Sequence, residues 1–414
     1  MASTTIKRVS LGHRHECQNW PKLVGCSWSI LPEELVAEIL VRLPVSCLVK
    51  LKSVCRSWRA LISSSQFAKS HLQRSIPIPH FAYTFPVAPK QKDRRIGIFS
   101  AESPFHNPIT KVISFSVGTG LMLFDIIGSA NGLLCLLHLN YVACRAKLWN
   151  PCTRMESEWL NIDGDLSKNG FGYDHVHDKY KLFGEVSPKS GSRFSSRICT
   201  LGEDSNSWRT IKDNPIKTVD YKANYKATFV PGNGALNWVS NGGAVIISLD
   251  LAKESYGEFS VPCHENQRGS GYGPKLSVLK NCLALCYDHK KTHWAVWLMK
   301  EYGKEESWTL VAMIIHSCEI DRSFIPMYLL LKEEGDGEQD LLLARCPPNK
   351  IVSCNLNDAS LNFPVFDTTS DGLLDYPLSQ DTSLRCFQIF HQTLVSPSHF
   401  GLPSSLSSIS LIDE

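Results

Sequence analysis

A repeat of about fifty residues is the feature that most constrains how this 414-residue chain can fold. Five segments each combine an apolar stretch, a polar turn and a closing aromatic residue. The closing residues are Trp159, Trp208, Phe259, Trp308 and Phe363. Short alternating segments between Gly, Asn, Asp and Pro predict strands and turns. Each unit offers about four strands, which is typical of one blade of a kelch-like β-propeller.

The part of the chain from residue 80 onwards can hold about six such units. Five follow from the repeat. We expect the sixth to combine early strands such as "HFAYTF" or "KVISFSV" with the late "CFQIFHQTLV". Joining the two ends of the domain would close the ring and pair the strand edges that an open sheet exposes. An irregular β-sandwich with coincidental spacing is the alternative fold.

The segment before the repeat has helical periodicity instead. It reads "LPEELVAEILVRLPVSCLVKLKSVCRSWRAL" at 31–61. Pro32 suits the first turn of a helix, and Pro44 ends that helix because a proline disfavours helical geometry in the residue before it. Trp58 and Leu61 lie on the apolar face of a later amphipathic helix. We therefore predict three short helices, with a last turn beyond them.

This helical segment carries more apolar side chains than it can bury. A unit of about 45 residues is near the lower limit for a stable domain, and each helix can hide one face. The surplus on the first two helices predicts an exposed patch of the kind that marks a protein interface. A helical part of a larger core would show the same spacing. A basic face with Lys50, Lys52, Arg56 and Arg59 would also suit nucleic acid or a calmodulin-like partner.

The same residues resemble the F-box, the adaptor module of cullin-based ubiquitin ligases. The similarity rests on Leu31-Pro32, "EIL", Leu43-Pro44 and "SVCRSWRALI". It implies a Skp1-like adaptor as partner and, through it, a cullin. The residues implied to bind Skp1 are Leu31, Pro32, Leu35, Ile39, Leu40, Leu43, Pro44 and Leu48. The residues expected to pack the module are Val54, Trp58 and Leu61.

The repeat region resembles the plant F-box-associated domain. The motifs are "ANGLLCL", "LWNPCTR", "FGYDHVHDKYKL", "SNSWRTI", "NGALNWV", "IISLDLAKESYGEF" and "VWLMKEYGKEESW". Together the two resemblances imply an α+β multidomain protein, a small N-terminal helical F-box followed by an all-β kelch-like propeller of about six blades that binds a target protein. We expect a disordered segment at 1–26, the F-box at 27–74, a linker at 75–95, the propeller at 96–396 and a flexible tail at 397–414.

Charge and cysteine usage narrow the classes of partner. The 43 basic and 40 acidic residues are interleaved along the chain, which predicts no broad contact with nucleic acid or a membrane surface. The 15 cysteines contain no CxxC pair, which favours a reducing compartment. The most apolar window is interrupted by polar residues, so we expect no membrane span. These features predict a protein of the cytoplasm or nucleus.

Candidate metal and phosphate sites are weak. His175 and His177 lie in a predicted hairpin turn with no third ligand nearby. His289 and His293 have a helical ligand spacing in what we predict to be a turn between strands. The glycine-rich 268–275 lacks the GK[ST] ending of a phosphate loop. We therefore expect no catalytic residue, no metal and no cofactor.

Two other functions stay open on the sequence alone. One is a propeller scaffold without a ligase, and the other is a propeller enzyme whose acids, histidines or metal ligands converge in the central channel. The loops between strands, where propellers usually bind their partners, include 161–170, 187–195, 212–226 and 263–274. Which target protein they would bind is not indicated.

Overall fold

The computed structural model describes most of the chain. The described residues are 32–86, 94–107, 109–117, 124–139, 144–162, 165–187, 195–202, 208–211, 225–240, 245–262, 273–317, 324–331, 340–346, 350–367, 385–406 and 409–411. The segment 1–26, which we predict to be disordered, and Leu31 lie outside these residues.

Four short helices form an N-terminal module, here called the helical module (residues 32–74). They are α1 Glu33–Leu40, α2 Val45–Leu51, α3 Arg56–Ile62 and α4 Ser65–Arg74. Pro32 and Pro44 stand directly before α1 and α2, where a missing backbone N–H costs nothing. Ser64 caps α4 by accepting a hydrogen bond from the backbone N–H of Phe67 at 3.2 Å. The predicted last turn is therefore a complete fourth helix.

Six sheets follow, and we number them as blades. Blade 1 contains β1 Pro79–Pro86, β2 Arg94–Ser100, β4 Ile113–Val117, β28 Arg385–His391 and β30 Ile409–Leu411. Blade 2 contains β5 Phe124–Ala130, β6 Leu133–Leu139, β7 Cys144–Asn150, β8 Met155–Ser157, β9 Leu160–Ile162 and β29 Ser404–Leu406. Blade 3 contains β10 Asp165–Asp174, β11 Lys179–Ser187, β12 Ser195–Thr200, β13 Trp208–Thr210 and β14 Tyr225–Lys226.

The other three blades have four strands each. Blade 4 contains β15 Thr228–Val230, β16 Ala235–Val239, β17 Val245–Asp250 and β18 Ser255–Ser260. Blade 5 contains β19 Lys275–Leu279, β20 Cys282–His289, β21 His293–Met299 and β22 Trp308–Ile315. Blade 6 contains β23 Ile325–Leu330, β24 Leu341–Cys346, β25 Lys350–Asn355 and β26 Leu361–Asn362. Short connecting elements are α5 Ser103–His106, β3 Ile109–Lys111 and β27 Val365–Asp367, of which β3 and β27 pair with each other.

Strands from both ends of the domain close the ring in blade 1. β1 pairs with β2 on one side and with β28 on the other, so that Phe81 lies opposite Ile389. The predicted combination of "HFAYTF" with "CFQIFHQTLV" is therefore confirmed, and the fold is the predicted propeller of six blades. Closure pairs the strand edges of blade 1 that an open ring would leave free.

The structure corrects two predicted boundaries. The segment 75–95, predicted to be a linker, contains β1 and the first residues of β2. The segment 397–414, predicted to be a flexible tail, contains a 3-10 helix at Pro397–Phe400 and the strands β29 and β30. β29 pairs with β8, and β30 pairs with β4. These short strands gain their partners only through the closed ring, which local sequence does not reveal.

One turn recurs in four blades. A side-chain oxygen at the end of a strand accepts a hydrogen bond from the backbone N–H two residues later, which fixes an Asx turn. These residues are Asn150, Asp174, Asp250 and Asn355. Four positions further on, the backbone adopts a positive φ in each case, at Arg154, Asp178, Glu254 and Ala359. In blades 2, 4 and 6 this turn forms the polar part of the repeat, whereas in blade 3 it joins β10 to β11.

Apolar side chains fill the space between neighbouring blades. Phe183 of blade 3 stacks on Trp238 of blade 4 with ring centroids 5.4 Å apart. The closing aromatic residue Trp308 begins the outermost strand of blade 5, and its Nε1–H donates to the carbonyl of Ser260 in blade 4 at 3.3 Å. Trp308 thus belongs to the packing of blade against blade, whereas Trp159 contacts His138, Arg145 and Lys147 of its own blade.

Candidate functional site

The helical module exposes part of its apolar surface. Leu35 is 49% exposed and Ile39 is 54% exposed, and they lie one turn apart on α1. Pro32, Pro44 and Val49 are exposed as well. Residues four positions apart share one side of a helix, so Leu35 and Ile39 form one exposed apolar face. We call it the α1 face.

Two residues that we predicted to contact a partner are instead inside the module. Leu40 is 2% exposed and Leu48 is fully buried, and both belong to the module's own core. The prediction of direct contact is corrected for this pair, because side chains so deeply buried cannot reach a partner. Leu43 is partly buried against the same core. Leu35 and Ile39 therefore carry the exposed apolar surface of α1.

The module's core also tests the predicted packing residues. Trp58 and Leu61 pack against it, as expected. Val54 does not, since it is 60% exposed in the turn that follows α2, and its packing role is corrected. The buried residues of this core are Leu40, Val41, Val45, Leu48, Ile62, Phe67, Ala68 and Leu394.

Leu394 is unexpected because it comes from the propeller, directly after the ring-closing strand β28. Two hydrogen bonds hold its segment on blade 2, from the Nδ2 of buried Asn150 to the carbonyls of Thr393 and Val395, at 3.0 and 2.7 Å. Thr393 Oγ1 in turn donates to the carbonyl of Asn131 at 3.0 Å. Asn150 belongs to the "LWNPCTR" motif, but nothing local in the sequence shows that it binds a segment more than two hundred residues away.

Polar contacts join α4 and α3 to the propeller. Lys69 forms an ion pair with Asp178, and its Nζ lies 5.3 Å from the ring centroid of Phe400. His399 donates from Nε2 to the carbonyl of Ser63 at 3.2 Å and accepts from the backbone N–H of Ser396 through Nδ1. The module is therefore held against blades 2 and 3 and against the C-terminal segment.

Burial and neighbouring groups at this joint shift the pKa values of Asp178 and His399. Burial tends to raise the pKa of Asp178, but hydrogen bonds from Lys69 and Tyr173 outweigh it and keep that pKa below its usual value. Burial lowers the pKa of His399, and the neighbouring cations Lys52 and Lys69 lower it further. Asp178 is therefore charged, and His399 is neutral, near pH 7.

The module contacts one end of the blades, which we call the module face. The turns at 131–132, 150–154 and 174–178 lie there, and antiparallel strands carry the chain from these turns to the opposite end. One of the four loops predicted to bind a target, 161–170, is corrected, because most of it belongs to the strands β9 and β10. Most residues of 187–195, 212–226 and 263–274 lie outside the described part of the chain, so their role stays a prediction.

A central channel of about 1230 Å³ runs between the inner strands of the blades. Lys226 bridges its wall by donating to the carbonyl of Ile126 at 2.9 Å and to Gln388 Oε1 at 2.7 Å. Among the residues that the structure describes, no three His, Cys, Asp or Glu side chains are grouped as a metal site would need. The predicted candidate ligand His177 instead contacts Asp174, with Nδ1 2.8 Å from Oδ2.

Within the described ranges no helix is long and apolar enough to cross a bilayer.

Comparisons with known proteins agree with this architecture. A family model described as "F-box domain" matches residues 28–70, and one described as "F-box associated beta propeller domain" matches residues 103–336. An F-box/kelch-repeat protein of Arabidopsis thaliana is 27% identical over 387 residues, which cover 89% of this chain and 96% of that protein. A second F-box protein of the same plant is 27% identical over 314 residues, which cover 69% of this chain and 72% of its own length.

Proposed function

The chain belongs to the F-box proteins whose F-box is followed by an F-box-associated β-propeller domain, and from this premise we propose that it is the substrate-recognition subunit of an SCF ubiquitin ligase. In this proposal the helical module binds a Skp1-like adaptor, which connects it to a cullin, and the propeller binds a target protein. The chain itself performs no bond chemistry and uses no cofactor.

The α1 face is the observation that carries this proposal. The module already has a buried core and already docks on the propeller, yet Leu35 and Ile39 remain about half exposed. An exposed apolar face on so small a unit is the usual mark of a protein interface. A Skp1-like adaptor is the partner that the F-box family implies.

The position of the module supports a separate site for the target. The module occupies the module face of the propeller, so the opposite end is available to a second protein. Holding a target beside a ubiquitin-loaded enzyme raises its local concentration, which accelerates transfer without an active-site residue in this chain.

Ten cysteines whose side chains the structure describes form no disulfide. This observation supports a reducing compartment, and we propose that the protein acts in the cytoplasm or nucleus.

Co-purification with a Skp1-like adaptor tests the proposal. Leu35→Asp combined with Ile39→Asp places two charges on the α1 face, and we expect adaptor binding to fall at least about tenfold, because burying an unpaired charge is costly. Leu406→Asp, at an exposed apolar residue of β29, is the matched control and keeps adaptor binding. Undiminished binding by the α1 variant would contradict the assignment.

Ubiquitin transfer separates the ligase role from a scaffold without ligase activity. The reconstituted complex of chain, adaptor and cullin should modify proteins that co-purify with the propeller after the proteasome is blocked. A chain that binds the adaptor but supports no transfer to any such protein would favour the scaffold.

A further inference from the structure

The outermost strand of blade 5 is the longest outermost strand among those that the structure describes. β22 has eight residues, whereas β18 has six, β13 has three and β26 has two. In blades 1 and 2 the additional strands β30 and β29 cover β4 and β8. Within the described part of the chain β22 pairs with β21 alone, so its other edge offers unpaired backbone groups.

One face of β22 is apolar and exposed. Leu310, Met313 and Ile315 are all exposed, Ile315 to 60%. They lie opposite Trp297, Ala295 and His293 of β21, which are two residues apart and therefore share a face. The register shift between Val296 and Trp297 brings Leu310 onto that face together with Met313 and Ile315. A long exposed edge with apolar side chains is a template for another strand.

The two ends of β22 carry opposite charges. Its last residue lies beside the turn that contains Lys290 and Lys291, because His293 pairs with Ile315. Both lysines are exposed. Its first residue, Trp308, directly follows a 3-10 helix that contains Glu305 and Glu306, and both glutamates are exposed. Lys300, Glu301 and Lys304, also exposed, lie just before this helix, so this end has a net charge of −1 against +2 at the lysine turn.

We propose that β22 pairs antiparallel with β22 of a second copy of this chain, across a two-fold axis. Antiparallel pairing brings the lysine end of one strand to the glutamate end of the other, twice in the symmetric pair. The same arrangement places the exposed Leu310, Met313 and Ile315 of the two copies together and out of water. The strand is therefore complementary to itself in backbone, apolar face and charge.

Sedimentation velocity of the full-length chain over a concentration series tests the pairing. We expect a species of twice the 46.3 kDa chain mass that dissociates on dilution. Leu310→Lys combined with Met313→Lys should shift the chain to the monomer, because it puts four positive charges at the interface of the pair. Leu406→Lys, at an equally exposed apolar position of β29, is the control and should leave the dimer intact. Unchanged melting temperatures exclude unfolding as the cause.

Charge reversal provides a second test, in which a mixture of two monomeric variants regains the dimer. One variant carries Lys290→Glu and Lys291→Glu, and the other carries Glu306→Lys. Each variant alone should be monomeric, because like charges then meet at both ends, whereas an equal mixture should form a heterodimer. A chain that is monomeric at every concentration overturns the proposal. So does a dimer that survives the lysine substitutions, and so does a monomer whose β22 pairs only with a strand of a target protein.

Discussion

In the propeller, the apolar side chains of each blade pack against the next blade, whereas in the helical module α1 turns Leu40 inward and Leu35 and Ile39 outward. The two regions also differ in how they are completed. The propeller closes with its own strand β28, while the module needs Leu394 from the propeller to complete its core. The comparison indicates that Leu35 and Ile39 of the α1 face stay exposed although the module's core is fully packed.

The two regions also differ in how deeply their ion pairs are buried. Inside the propeller, buried Lys181 joins Asp174 at 3.0 Å and Glu254 at 2.9 Å, which links blade 3 to blade 4. At the joint between module and propeller, Lys69 and Asp178 are both well exposed to solvent. A buried ion pair is costly to break, while an exposed one contributes little. The joint should therefore be the weaker connection.

The largest expected effect comes from opening the ring. Deletion of 385–411 removes β28 and Leu394, so blade 1 loses its inner strand and the module loses part of its core. We expect the cooperative thermal unfolding transition to disappear, measured by circular dichroism. Deletion of 412–414 alone is the control and should leave the transition unchanged. A cooperative transition in the longer deletion would show that the ring is stable when open.

The buried ion pair gives the next effect. Asp174→Asn removes one of the two carboxylates that pair with buried Lys181 and leaves Glu254. We therefore expect a loss of about 3 kcal/mol in the free energy of unfolding, at the lower end of what breaking a buried pair costs. Asp250→Asn, in the Asx turn between β17 and β18 of blade 4, is the control, because among the described residues Asp250 forms an ion pair with the exposed Lys253 alone. A loss equal to that of the control would contradict the role of the buried pair.

The same carboxyl predicts a dependence on pH. Burial tends to raise the pKa of Asp174, but hydrogen bonds from His177 and Lys181 outweigh it and lower the pKa from 3.8 to about 2. Because the folded-state pKa is the lower one, the stabilisation is present above pH 3.8 and is lost as pH falls to about 2. Acid unfolding monitored by tryptophan fluorescence should show this loss in the natural chain and not in Asp174→Asn.

Two leucines of α1 sharpen the comparison between packing and binding. Leu40→Ala should lower the free energy of unfolding by about 2–5 kcal/mol, because it empties space in the module's core. Leu35→Ala should change it by no more than about 0.5 kcal/mol and weaken adaptor binding instead. Chemical denaturation and adaptor binding, measured on both variants, distinguish the two roles. Equal destabilisation by both would mean that the α1 face is not a free surface.

The smallest expected effect lies at the joint. Lys69→Met removes the ion pair with Asp178 and should cost at most about 1 kcal/mol, and less at high salt, because both side chains are partly solvated. Hydrogen exchange of α4 amides measures this local loosening. Exchange unchanged at low salt would show that the apolar contacts of Leu394 and the hydrogen bond between His399 and Ser63 hold the joint without this ion pair.

Several parts of this structure could be predicted because their signals are local. Pro32 and Pro44 mark the starts of helices wherever those helices pack, and closing aromatic residues such as Trp208 in blade 3, Phe259 in blade 4 and Trp308 in blade 5 mark successive blades. The local sequence does not show that Leu40 is buried while its neighbour Ile39 is exposed. α1 has apolar residues on most sides, so periodicity shows that a surplus exists without showing which side chains form it.

Local patterns of residues are enough to predict the helical module, the blade repeat and an excess of apolar surface on the module. The folded protein was needed to learn which leucines face solvent, that Leu394 completes the module's core and that 397–414 contributes strands to blades 1 and 2. These features depend on residues that lie far apart along the chain. Hydrogen bonds within a turn depend on neighbouring residues, whereas the contacts of Asn150 with Thr393 and Val395 exist only after the ring has closed.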